Sequence, residues 1–157
     1  MTRFTTMNVS SPVGQAFWGM RIIFTIAPIL FGLDKFFNIL VDWPKYLAPW
    51  IPALIHVTPQ TFMYGVGVVE IVAGILVALW PEFFAYLVTL WLWGIIVNLL
   101  TIRGFYDVAV RDFGLSVGAL ALGRLGWAHR QEKRGKIELV RERPAAASQR
   151  PAAQLSR

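Results

Sequence analysis

A handful of ionisable and amide side chains interrupt sequence that is otherwise apolar. They are Asp34, Lys35 and Asn38; then Glu70; then Asn98; then Asp107, Arg111 and Asp112. A charge placed near the middle of a membrane helix costs about 2.5–3.5 kcal/mol on insertion scales, so such groups need partners or water. Lys35 can reach Glu70, and Arg111 can bridge toward Asp34. Asp107 and Arg111 have the i, i+4 spacing that pairs opposite charges along one helix face. Asp34 and Asn38 share a face in the same way. Two chemistries fit the set. Either the ion pairs only fix helix packing, or they line a polar pocket. In a pocket, Lys35 and Arg111 would donate hydrogen bonds. Glu70, flanked by Val69 and Ile71, would accept or relay a proton. Asp112 beside Arg111 reads as more structural.

The elements that must position these groups follow from composition. The chain has 157 residues, 56% hydrophobic and 15% charged. A soluble domain averages about 45–50% apolar and about 25% charged. Four apolar runs, at 16–40, 62–80, 83–102 and 106–127, each approach the roughly 20 residues that cross a hydrocarbon core. None alternates with period two, so each reads as a helix. Residues 1–15 precede the first span, which is too long for a cleaved leader and lacks a cleavage site. Pro28 near its middle is tolerable in a membrane helix. The expected fold is an all-α membrane protein, a four-helix transmembrane bundle.

Charge sets the orientation. The formal net charge is +6. Residues 128–157 hold eight Lys and Arg against three Glu, a net +5, and the rest is nearly neutral. The positive-inside rule then makes this basic tail cytoplasmic, with topology N-in/C-in. That distribution also argues against a nucleic-acid footprint. With this topology Asp34, Lys35, Asn38, Glu70, Asn98, Asp107, Arg111 and Asp112 all fall in the outer half. Glu70 lies deepest, roughly 12 Å from its helix end at 1.5 Å per residue. Arg21 and Arg124 lie toward the inner side, where long side chains snorkel.

The outer segment 41–61 carries Trp43, Tyr46, Trp50 and four prolines. It reads as a cap along the outer surface with room for one helical turn. Trp18, Trp80 and Trp127 form an inner aromatic belt. Residues 144–157, rich in Ala, Pro, Arg and Ser, read as disordered. Gly74 with Ala78, Gly114 with Gly118, and Ala119 with Gly123 have small-xxx-small spacing. It suits close helix packing inside the bundle better than dimerisation, although a homo-oligomer stays open. Trp91 and Trp93 read as packing residues.

The chain has no cysteine, and its two histidines, His56 and His129, lie outside the spans. Thiol redox and iron–sulfur ligation are therefore excluded, and haem lacks histidines within the bundle. No phosphate-binding loop or metal-spaced set occurs. No cofactor is expected to be bound covalently, and any redox role needs a borrowed or diffusible one.

Gly32-Leu33-Asp34-Lys35-Phe36, at the end of the first span, and Glu70-Ile71-Val72-Ala73-Gly74, in the second, resemble the DoxX-like membrane proteins. Their pattern is Gly-x-x-Lys on the first helix and Glu followed by small residues on the second. The resemblance covers roughly residues 17–127. The opening of the fourth span, Tyr106-Asp107 through Arg111-Asp112-Phe113-Gly114, is similar to one subgroup. The resemblance implies a bacterial inner-membrane protein, multi-pass and bilayer-bound. The family is named for a small subunit of a thiosulfate–quinone oxidoreductase. This chain lacks the Gly-rich Ser-x-Asp ending of many members and has Asn98 where a His is common. The leading expectation is a subunit of a quinone-linked oxidoreductase assembly, with partner subunits and a quinone at the Lys35/Glu70/Arg111/Asp112 layer. The alternatives are a non-catalytic scaffold whose ion pairs are structural and, less favoured, a small-solute transporter.

Overall fold

The computed structural model describes residues 11–148, with side chains described to residue 140. All regular structure among the described residues is helical. Four long helices, α1 (Pro12–Phe37), α3 (Pro59–Leu79), α4 (Pro81–Leu100) and α5 (Tyr106–Ser148), enclose the core. A 3₁₀ turn (Trp43–Tyr46) and the short α2 (Trp50–Ile55) lie between α1 and α3. α1, α3 and α4 are each long and apolar enough to cross a membrane. The chain is a multi-pass integral membrane protein.

Local chemistry sets the helix ends. Ser11 Oγ accepts from Gly14 N at 3.1 Å, and Pro12 occupies the first helical position. That moves the start of α1 four residues ahead of the expected 16. α1 also stops at Phe37, not 40, because Asn38 turns into the left-handed region with φ 51°. Asn tolerates that conformation as a helix cap. Thr58 caps α3 ahead of Pro59. Trp80 alone joins α3 to α4, and Pro81 starts α4.

Helices α1 and α3 pack as one antiparallel pair, α4 and α5 as a second. Lesser contacts join α3 to α4 and α1 to α5, which puts α1 and α4 on one diagonal of the bundle. Glycine makes the first pair possible. A Cβ on Gly32 would lie 2.6 Å from the Gly67 carbonyl oxygen, and one on Gly67 equally close to that of Gly32. Gly74 meets the Thr25 carbonyl in the same way at 2.7 Å. Gly118 packs on Phe24 and Gly123 on Tyr86, while a Cβ on Gly114 would meet open space. The small residues at 74, 118 and 123 thus serve packing within the bundle, and Gly114 does not.

Phe17, Val77, Ala85, Ala119 and Leu122 form a dry core toward the α3–α4 turn. Outward faces stay apolar. Ile22, Ile26 and Leu30 on α1, Val68, Val72 and Ile75 on α3, and Leu87, Leu90 and Val97 on α4 are all exposed. This is a surface suited to lipid rather than water.

Two expectations are corrected. Residues 144–148, expected as disordered, instead continue α5, which runs without a break through the basic segment to Ser148. A preformed helix needs no new nucleus, so good helix formers propagate it. Lys136 and Glu132 add an i, i+4 pair at 2.7 Å. The expected disorder of residues 149–157, like the segment 1–10, lies outside the described residues. The segment 41–61 also does more than lie on the surface. Leu47 and Ala48 are buried, and two short helical elements form.

Candidate functional site

Lys35 Nζ and Glu70 Oε2 lie 2.6 Å apart, and both side chains are nearly buried. The pairing follows from helix geometry. Side chains lean toward the N-terminus of their own helix. α1 and α3 are antiparallel, so Lys35 leans into the bundle and Glu70 leans back to meet it. Trp43 closes the other side, its ring 3.6 Å from Lys35 Nζ. An ammonium at that distance is held by the ring quadrupole. The indole Nε1 of Trp43 donates to Asp34 Oδ2 at 2.7 Å, which fixes the ring.

Asp34 does not meet Arg111, contrary to expectation. Its carboxylate also accepts from the backbone N–H of Ile39 at 3.0 Å and of Leu40 at 3.1 Å. Those donors face it because the chain reverses at Asn38. Arg111 instead pairs with Asp107 at 3.3 Å, as the i, i+4 spacing predicts, and both side chains are largely exposed.

The two amides hold the connecting segment. Asn38 Nδ2 donates to Gln60 Oε1, Gln60 Nε2 donates to the Lys35 carbonyl, and Asn38 Oδ1 accepts from Trp43 N. Asn98 Oδ1 accepts from Ala48 N at 2.8 Å, and its Nδ2 donates to the Tyr46 carbonyl at 2.6 Å. One α4 side chain thereby pins the segment down on the bundle.

Below this roof lies a cavity of about 410 Å³ between the two helix pairs. Lys35, Glu70, Arg111 and Asp112 line its polar part, with Trp43 and Tyr46 above. Phe24, Ala73, Val88 and Leu92 line its apolar part toward the middle of the bundle. Asp34, Asn38, Asn98 and Asp107 are not among its lining residues; the first three are engaged in the bonds just described. Asp112 acts on Lys35 and Glu70 through space, but among the described residues its carboxylate has no hydrogen bond or ion pair. The layer therefore brings three carboxylates, of Asp34, Glu70 and Asp112, around one ammonium.

Sequence reasoning missed three members of this neighbourhood. Trp43 was expected at a headgroup surface. The Gly32–Gly67 approach had no i, i+4 signal, because it pairs different helices. Trp91, expected as packing, lines the cavity, and its buried Nε1 has no hydrogen-bond partner among the described residues. At the opposite end of the bundle, Arg130 Nη1 lies 2.8 Å from Glu82 Oε1, a pair that the tail reading also missed.

The chain matches the family model for DoxX over residues 17–102, from α1 to the end of α4. That is shorter than the 17–127 the motifs suggested, because the match stops before α5. No curated protein and no solved structure matches the chain. With more than half of its length covered, and with Lys35 and Glu70 paired inside the matched region, the chain belongs to the DoxX family.

Proposed function

We propose that this protein is the membrane subunit of a quinone-linked oxidoreductase assembly in a bacterial inner membrane. Its cavity would hold the headgroup of a lipophilic quinone. One observation carries the reading: a single cavity joins a charged layer to an apolar interior. That is the polarity profile of a molecule with a polar ring and a greasy tail, and sites for such ligands are mostly apolar with few placed polar groups.

The residues present fit such a ligand. Lys35 Nζ and, at the mouth, Arg111 are donors for ring oxygens. Glu70 and Asp112 are carboxylates able to take or return a proton. The quinone would supply the redox chemistry, and partner subunits the electron source. Lys35 holds Glu70 in place, and Trp43 holds Lys35.

We read α5 as the fourth span, with both termini inside. Asp107, Arg111, Asp112 and Arg124 lower its apolar content, yet Val110, Phe113, Val117 and Leu120 keep an exposed apolar face. His129 stacks on Phe17 with ring centroids 5.0 Å apart, so the start of α1 and the basic part of α5 share one end. The positive-inside rule makes that end cytoplasmic.

A second reading, a scaffold with structural ion pairs, is favoured by the directness of the Lys35–Glu70 contact. Quinone titration of purified protein separates the two. Binding should be strong in the wild type and lost in a folded Glu70→Gln, Lys35→Met double variant. Binding unchanged by that double substitution would favour the scaffold.

A further inference from the structure

We infer that the cavity is loaded sideways from the bilayer, through an opening between α1 and α5, and that its ligand keeps an apolar chain in that opening. The inference rests on the quinone reading and goes further. It assigns the route and the chemical class, an uncharged ring that travels in the hydrocarbon on a chain.

The lining residues mark where the cavity opens. Those that are exposed are Ile23 and Phe31 on α1, Arg111 and Leu115 on α5, and Leu40 just after α1. The lining residues of α3 and α4, Glu70, Ala73, Val88 and Leu92 among them, are buried or half-buried. A residue that both lines a cavity and meets the outside stands at its edge. That edge therefore runs along α1 and α5, which touch each other only sparsely.

The seam between these two helices is closed toward the α3–α4 turn. His129 stacks on Phe17 at 5.0 Å, and a Cβ on Gly118 would lie 3.2 Å from the Phe24 ring. These contacts set an antiparallel register. Going outward from Phe24 and Gly118 by the same number of residues brings Phe31 level with Arg111. Both are exposed there. No hydrogen bond or ion pair joins residues 23–35 of α1 to α5 among the described residues. With α5 as the fourth span, Leu115 lies about 14 Å inside its outer end at 1.5 Å per residue, so the opening faces hydrocarbon.

The roof is fastened instead. Trp43 is held by Asp34 and lies over Lys35. Asn98 pins the Ala48 N–H and the Tyr46 carbonyl, and the Phe31 ring leans on Trp43 with centroids 6.0 Å apart. A water-borne anion would have to part that roof. An uncharged ring arriving through hydrocarbon incurs no cost of burying a charge and meets Lys35 and Glu70 beneath it. The cavity, about 410 Å³, is near the small end of the roughly 300–1,000 Å³ of ligand pockets. It encloses a ring and leaves a long chain to pass out between Phe31 and Leu115.

The test follows stopped-flow quenching of tryptophan fluorescence by a short-tailed benzoquinone, with full-length protein in lipid nanodiscs. Trp43 and Trp91 line the cavity, so quinone bound there quenches them. Leu115→Phe narrows the opening and Leu115→Ala widens it. Val117→Phe, exposed on α5 but outside the cavity lining, is the control. Narrowing should slow association and dissociation by the same factor, about threefold or more, and widening should speed both, with Kd held within about twofold. Val117→Phe should change neither rate. If Leu115→Phe fails to fold, Leu115→Ala decides alone, since it only trims an exposed side chain. Wild-type rates in both Leu115 variants overturn the sideways route and leave the quinone reading standing. A changed Kd without a common change in the two rates also overturns it, because Leu115 would then be a wall of the site and not its doorway. Equal slowing by Val117→Phe overturns it too. Quinone that does not bind the wild type overturns the quinone reading itself, and this inference with it.

Discussion

Among the described residues the bundle has two buried-acid ion pairs, one toward each end, and they differ in what surrounds them. Lys35–Glu70 is 2.6 Å long with both side chains nearly buried. Glu82–Arg130 is 2.8 Å long, with Glu82 as buried as Glu70 but Arg130 about a third exposed. Arg130 lies over the Phe83 ring, and Gly126 packs directly on the Glu82 backbone. That second pair ties the start of α4 to α5, and neither of its residues lines the cavity beside Lys35. The first faces a cavity, carries Trp43 on one side and has Asp112 nearby. A buried ion pair alone is weak ground for a function. What distinguishes the Lys35 pair is its company: a cavity whose lining holds further charged groups, Arg111 and Asp112.

That contrast can be broken experimentally. Lys35→Met should have the largest effect, because it leaves Glu70 buried without its cation. Losing one partner of a buried pair costs about 3–5 kcal/mol. Unfolding in mixed detergent measures it, and adding Glu70→Gln should restore much of the loss. Asn98→Ala should come next, at about 1–3 kcal/mol, as Ala48 N–H and the Tyr46 carbonyl lose their partner. The same unfolding assay, with proteolysis of segment 41–61 as a second readout, checks it. Arg130→Gln should cost about 1 kcal/mol or less, since a partly exposed cation is screened and its loss is shared with solvent. A cost as large as that of Lys35→Met would erase the distinction between the two ends. Asp112→Asn should change stability least, within about 0.5 kcal/mol. It should nevertheless alter quinone affinity in a binding titration, while Arg130→Gln should not.

Much of this was legible in the sequence, for reasons that differ by residue. The three apolar helices follow from run length. The Lys35–Glu70 contact follows from depth, because antiparallel spans bring both residues to one layer. Asp107–Arg111 follows from helix spacing alone. The end of α1 did not, because it depends on Asn38 adopting φ > 0 while Asp34 accepts the next N–H groups. Asn98 and Trp43 were visible as polar or aromatic positions. Their partners lie 50 and 9 residues away, across a segment whose path no periodicity encodes. The helical course of 144–148 was hidden by composition, since an Ala-, Pro-, Arg- and Ser-rich end with no apolar period reads as disordered.

The central claim is that the cavity beside Lys35 and Glu70 binds a lipophilic ring. A photoreactive short-tailed benzoquinone, crosslinked to the protein in lipid nanodiscs and mapped by peptide mass spectrometry, tests it most directly. Label should fall on cavity-lining residues of α1 and α4, such as Phe31, Leu92 and Ile95, and excess unlabelled quinone should compete it away. Label confined to the lipid-facing positions Leu90, Val97 and Val110, and not competed, would contradict the account.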